Sequence, residues 1–164
     1  MDKLPRKILL SLAAVAIISL VSLLGWKIHE TRNASRLINE FTAAQSLPTL
    51  PKEKPTGWEP PKWRNEIHLN NGLQVRIEGF GFVGGEVVAI YGDDNKSRLV
   101  AHPGDYVYPS EIRIDPSRQR LYVLANGFAA GIWKETRLYE FDLVKRKQIS
   151  FSHINLSDVR KKAN

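Results

Sequence analysis

The sequence predicts a small all-β domain of about eight short antiparallel strands in two four-stranded units, carried on an N-terminal transmembrane helix, a helical stalk and a proline-rich linker. Three observations point there. Residues 8–24 form an uncharged, mostly aliphatic run; residues 47–63 hold five of the nine prolines; and residues 65–156 alternate apolar and polar positions between clusters of turn residues.

The first element is the membrane span, residues 8–26. It opens at Ile8, follows the cations Lys3, Arg6 and Lys7, and closes with Leu24, Gly25 and Trp26. As a helix it would be ~28 Å long, close to the thickness of a bilayer's hydrocarbon core. A cleaved signal peptide has a shorter apolar core and a small-x-small site at its end. Ser22-Leu23-Leu24-Gly25-Trp26-Lys27 offers no such pair, and Trp26 suits the headgroup level, so an uncleaved anchor is expected. Lys27, Arg32 and Arg36 match the preceding cations in number. The tight N-terminal cluster favours residues 1–7 in the cytoplasm and the β domain outside, in a bacterial inner membrane facing the periplasm.

Residues 27–46 come next as a stalk. Ala34, Leu37, Ile38, Phe41 and Ala44 recur at spacings of three and four, the stripe of an amphipathic helix. That stripe suits a second copy, a partner's helix, the membrane surface or the chain's own domain. In the linker, residues 47–63, Pro48, Pro51, Pro55, Pro60 and Pro61 exclude helix and central strand. Extended at ~3.1 Å per residue, it would be a semi-rigid spacer of ~50 Å holding the domain away from the bilayer.

The β domain is expected over residues 64–156, with strands at 66–69, 73–78, 86–91, 98–102, 111–115, 120–125, 137–142 and 148–153. Asn70-Asn71-Gly72, Gly92-Asp93-Asp94-Asn95, Asp115-Pro116-Ser117 and Lys145-Arg146-Lys147 supply turns, by residues that accept positive φ or bond their own backbone. Residues 157–164 remain as a basic tail.

Gly81-Phe82-Val83-Gly84-Gly85 recurs as Gly127-Phe128-Ala129-Ala130-Gly131, 46 residues later, with flanking strands in the same order. A period of that size with four strands per unit marks propeller blades. Residues 110–149, with an Asp-Pro turn before Leu-Tyr-Val and an apolar-Asp strand before a basic turn, resemble one blade of the extracytoplasmic β-propeller repeats. The resemblance implies blade-like four-stranded units. With room for two blades, the chain would form a stacked or sandwiched unit, a ring across subunits, or a module completed by a partner through its open strand edges.

Composition excludes several functions. There is no cysteine, so disulfides, thiolate metal sites and thiol catalysis are unavailable. The net charge of +7 is spread: residues 1–45 carry 6 Lys/Arg against 3 Asp/Glu, which leaves 18 against 14 in the remainder of the chain totals. No concentrated basic face with stacking aromatics points to nucleic acid. Gly79-Phe80-Gly81-Phe82-Val83-Gly84 spells GxGxxG, but a strand pattern follows where a dinucleotide site needs a helix. His29, His68, His102 and His153 lack ligand spacing, and Asp93-Asp94-Asn95 lacks the rest of a calcium loop. No serine elbow or carboxylate pair at supportive spacing occurs. The sequons at Asn33, Asn95 and Asn155 are read as unmodified polar residues.

No catalytic, cofactor or metal residues are therefore assigned. Phe80, Phe82, Phe128 and Trp133, clustered in or beside the repeated glycine loops, are the candidates for partner binding, against the alternative that they plug the ends of the β core. The expected function is a single-pass, membrane-anchored envelope protein presenting a β domain for protein–protein binding or assembly, without enzymatic activity. Its partners would be the lipid bilayer and either another envelope protein or a second copy. The alternatives are a membrane-held inhibitor or immunity-type protein acting on an extracytoplasmic enzyme, and a small ligand sensor or hydrolase.

Overall fold

The computed structural model describes residues 6–49, 62–80, 86–102, 107–129 and 133–163. One helix, α1 (Arg6–Ala43), runs without a break from the apolar segment into the β domain. A two-residue strand β1 (Gln45–Ser46) follows, then β2 (Lys62–His68), β3 (Gln74–Phe80), β4 (Val87–Tyr91), β5 (Ser97–Ala101), β6 (Val107–Asp115), β7 (Arg120–Ala129), β8 (Trp133–Asp142), β9 (Lys147–His153) and a short helix α2 (Leu156–Ala163).

Each expected strand is present with its ends moved by up to four residues, most of them longer than expected, while 86–91 is one residue shorter and 98–102 is shifted back by one. The eight longer strands form two antiparallel meanders, β2-β3-β4-β5 in a four-stranded sheet and β6-β7-β8-β9 in a five-stranded sheet that β1 completes beside β6. The turns lie where their residues place them. Gly72 has φ +80, with its amide bonded to Leu69 O, and Asn95, Gln119 and Arg146 take positive φ in the later hairpins. Arg146 is in the Lys-Arg-Lys turn, where its guanidinium also stacks over the Tyr91 ring and pairs with Asp93 across the sandwich. Gly79 is tight for a different reason: a Cβ there would stand 3.1 Å from Val87 Cγ2 and 3.5 Å from Trp63 Cε3, so the Val87 side chain would have to give way.

The two sheets stack face to face. Trp63, Val75, Ile77, Val87 and Tyr91 from one interdigitate with Ile112, Ile114, Leu121, Val123 and Phe141 from the other, all nearly or fully buried. At ~25 cal/mol per Å² of apolar surface removed from water, each such side chain contributes about 2 kcal/mol. The closed form is thus a sandwich, the arrangement the sequence left open beside an open sheet or a ring.

The five-stranded sheet is buried on its second face too. Leu37, Ile38 and Phe41 of α1 and Val159 of α2 cover Tyr122, Leu124 and Leu138. The stalk therefore does not stand free: of the surfaces its stripe could meet, it meets its own domain. The linker differs from expectation in consequence. Leu47 is packed against the core and its amide donates to Ile112 O at 2.8 Å, while Asn65 Nδ2 donates to Pro48 O. The stretch between them, of which residues 50–61 lie outside the described residues, starts and ends on the β domain and joins one sheet to the other. It is α1, not the proline-rich stretch, that connects domain and apolar segment. The basic tail is likewise helical over most of its length, capped by Asn155, whose Oδ1 accepts from the Ser157 amide.

Strand register fixes the poles of the sandwich. Phe80, Val87, Ala101, Val107, Gly127 and His153 all lie at one pole, where the chain crosses between the sheets, while Asp115 and Arg120 pair at the other. Lys27 and Glu30 line a groove with Lys134 and His153, so the apolar part of α1 projects from that first, proximal pole.

Candidate functional site

The most constrained chemistry is the joint between α1 and the five-stranded sheet. β8 places Glu140 on the face that α1 covers, leaving its side chain 5 % exposed, and Arg36 of α1 donates to it at 2.9 Å and to Glu40 at 2.6 Å. Arg120 lies 3.6 Å from Glu140 and 2.7 Å from Asp142, itself 2 % exposed. Arg118 pairs with Glu40 at 3.0 Å, and the Tyr122 hydroxyl donates to Glu40 at 3.3 Å. A buried carboxylate is tolerated only when it is paired and hydrogen-bonded, and these partners come from both sides of the joint. Burial first, then the Glu40 and Glu140 carboxylates, pushes the Tyr122 phenol well above its ordinary range.

The C-terminal end of α1 is closed by the sheet as well. Arg113 of β6 donates to Phe41 O at 3.2 Å and Thr42 O at 3.1 Å, with its guanidinium carbon 4.5 Å from the centre of the Phe41 ring. Phe41 O also accepts from the Ala44 amide at 3.2 Å, so Arg113 is its second donor, and a cation at a helix C-terminus complements its dipole. Asn33 adds a tie to the edge strand, donating to Phe151 O and accepting from Ser150 Oγ.

A second feature is the flank where the edge strands β5 and β9 come side by side. It exposes Leu99 at 52 %, Ile149 at 40 % and Phe151 at 37 %, with the Phe151 ring tilted at 38° to that of Tyr139, centroids 5.0 Å apart. Register shifts at Val87/Val88 and Glu140/Phe141 break the ladder next to both edges, and Asn33 already occupies the Phe151 carbonyl. These breaks shorten the run available for strand addition and leave side chains as the main contact surface.

Of the residues singled out from sequence, Phe82 lies outside the described residues. Phe80, Phe128 and Trp133 are placed by backbone only, at the proximal ends of β3, β7 and β8, and their side chains lie outside the described residues. The anchor residues Leu24 and Trp26 are exposed at 54 % and 64 %, and Ile8 lies in the first turn of α1. The GxGxxG stretch leads into β4, not a helix. Among the described residues no three His, Asp or Glu side chains gather in a way that could hold a metal. Sequence reasoning missed Arg36, Arg113, Glu140 and Asp142, whose roles depend on partners up to 104 residues away.

Compared with known protein families, curated proteins and solved structures, the chain matches none. The segment 11–43 contains a stretch long and apolar enough to cross a membrane, and none of that stretch is buried against the rest of the protein.

Proposed function

We propose that this is a single-pass, membrane-anchored envelope protein that holds a β sandwich beside the bilayer to bind another protein, without enzymatic activity. Residues 1–7 are cytoplasmic and the sandwich is extracytoplasmic. The observation that carries the reading is the continuity of α1. Leu12, Val15, Ile18, Leu20, Leu23 and Leu24, each more than half exposed, call for a hydrocarbon solvent. The same helix is clamped to the sheet three turns further on. Such a mount fixes the domain's orientation, which suits a component that presents a surface and has no demand to roam.

The surface presented is the flank of β5 and β9. Exposed Leu99, Ile149 and Phe151 there supply apolar anchors beside short open edges. The test is photocrosslinking in intact membranes. A crosslinker at Leu99 and another at Ile149 should give the same adduct, either a defined envelope protein or a second copy, and Leu99→Lys should abolish it without changing the melting temperature. No adduct at either position, with one formed instead at Asn71 on the distal β2–β3 turn, would refute the assignment.

A further inference from the structure

We propose that the groove between α1, α2 and the proximal ends of β8 and β9 binds the headgroup of an anionic phospholipid drawn from the bilayer that α1 crosses. This rests on the membrane-anchor reading. The groove holds about 900 Å³. Its α1 wall is Lys27, Glu30, Thr31, Ala34, Ser35 and Ile38, which recur at spacings of three and four and fall on one helix face. Lys27 directly follows Trp26. At ~1.5 Å of rise per residue, the groove opens at the level of the interfacial ring and descends ~17 Å beneath it.

Charge and chemistry select the occupant. Four cations, Lys27, Lys134, Arg160 and Lys161, line the groove against two carboxylates, Glu30 and Asp158. The ammonium and guanidinium groups of these four side chains make no hydrogen bond or ion pair among the described residues, whereas the arginines of the nearby joint are all paired. Clustered, unmatched ammonium and guanidinium groups repel one another, and a phosphate between them removes that cost. Ile154 and Leu156 give the groove an apolar side for the glycerol region. The proximal mouth faces the plane in which anionic lipids present their phosphates, so a lipid can lower its headgroup into the groove while its acyl chains stay in hydrocarbon.

The test uses the full chain reconstituted in vesicles of phosphatidylcholine and phosphatidylglycerol, with a trace of either lipid spin-labelled, and reads the motionally restricted fraction by electron paramagnetic resonance. Wild type should prefer phosphatidylglycerol by about five-fold or more in relative association constant, the effect of one well-placed cation. Lys27→Gln/Lys134→Gln should bring that ratio close to one, and Arg160→Gln/Lys161→Gln should reduce it. Lys145→Gln/Lys147→Gln, the same charge change at the distal turn, should leave it intact. Equal restriction of both lipids by wild type would overturn the proposal, as would equal losses from the proximal and distal pairs, which would mean diffuse charge attraction. Failure of the anchor reading has its own signature: alkaline carbonate would release the protein from these vesicles. Retention without lipid preference removes the groove proposal alone.

Discussion

Phe41→Ala tests whether α1 is a structural member of the sandwich. Phe41 is 0 % exposed, surrounded by the Tyr122, Leu124 and Leu138 cluster, with Arg113 stacked on its ring at 4.5 Å. Truncating a buried phenylalanine costs about 3–5 kcal/mol through lost transfer energy and the cavity left behind. Losing the cation–ring contact adds about 0.5–1 kcal/mol. A total near 4 kcal/mol is a large share of the 5–15 kcal/mol typical of a whole domain. For a domain of this size the melting temperature should fall by about 10–15 °C. The assay is denaturation of the full chain in detergent followed by near-ultraviolet circular dichroism, with Leu24→Ala as the matched loss of an apolar side chain outside the sandwich. A Phe41→Ala shift no larger than that of Leu24→Ala would refute the reasoning and restore α1 to a free-standing stalk.

Other predictions follow from the same contacts. Arg113→Met keeps much of the volume but removes the guanidinium bonds to Thr42 O and Phe41 O, the latter keeping its bond from the Ala44 amide, and should cost about 1–2 kcal/mol in the same unfolding assay. The acid limb of the stability curve should follow Glu135 and Asp115. Glu135 is held below the usual carboxylate range by the Arg137 hydrogen bond and then by the charges of Arg137 and His153, and Asp115 by the Ser117 hydroxyl and the amides of Arg118 and Ser117. Their contributions are complete above the ordinary values of 4.5 and 3.8 and vanish as pH falls toward the depressed ones, so melting temperature should be flat to about pH 5 and then decline. Glu135→Gln should shallow that decline. On the alkaline side, burial pushes the Tyr91 phenol up to about 12, so its contribution is present below the ordinary value of 10 and is lost as pH climbs through 12. Absorbance titration of phenolate against unfolding should show that lag in wild type and a smaller one in Tyr91→Phe.

The strands and turns were legible because both signals are local. Alternation within five to ten residues and a few Asn, Asp and Gly positions determine each hairpin without reference to the rest of the chain. The docking of α1 was not, since the stripe Leu37, Ile38 and Phe41 describes a buried face without naming what buries it. A clue lay in β7. Leu121, Tyr122, Val123, Leu124 and Ala125 are consecutive apolar residues, and a strand apolar on both faces needs a cover on each side. The second cover is α1. For α2, the Asn155 cap, Leu156 and Val159 three apart, early Asp158 and late Arg160, Lys161 and Lys162 are the marks of a short helix written in the local sequence. The ionic joint had no such mark: Glu140 and Asp142 follow Arg137 and Tyr139 as ordinary strand residues, and only the packed helix makes their pairing necessary. Of the candidate aromatics, Phe80, Phe128 and Trp133 fall at strand ends where register gives their pole of the sandwich, a long-range arrangement that the local glycine-loop pattern does not carry.

A rod without a hinge has a mechanical corollary. If α1 slips through the bilayer by one residue, screw motion advances it ~1.5 Å and turns it ~100° about its axis. The β5 and β9 flank would swing around the helix through that same angle, so small changes in membrane thickness or in the packing of a neighbouring span become changes in the compass bearing of the whole sandwich.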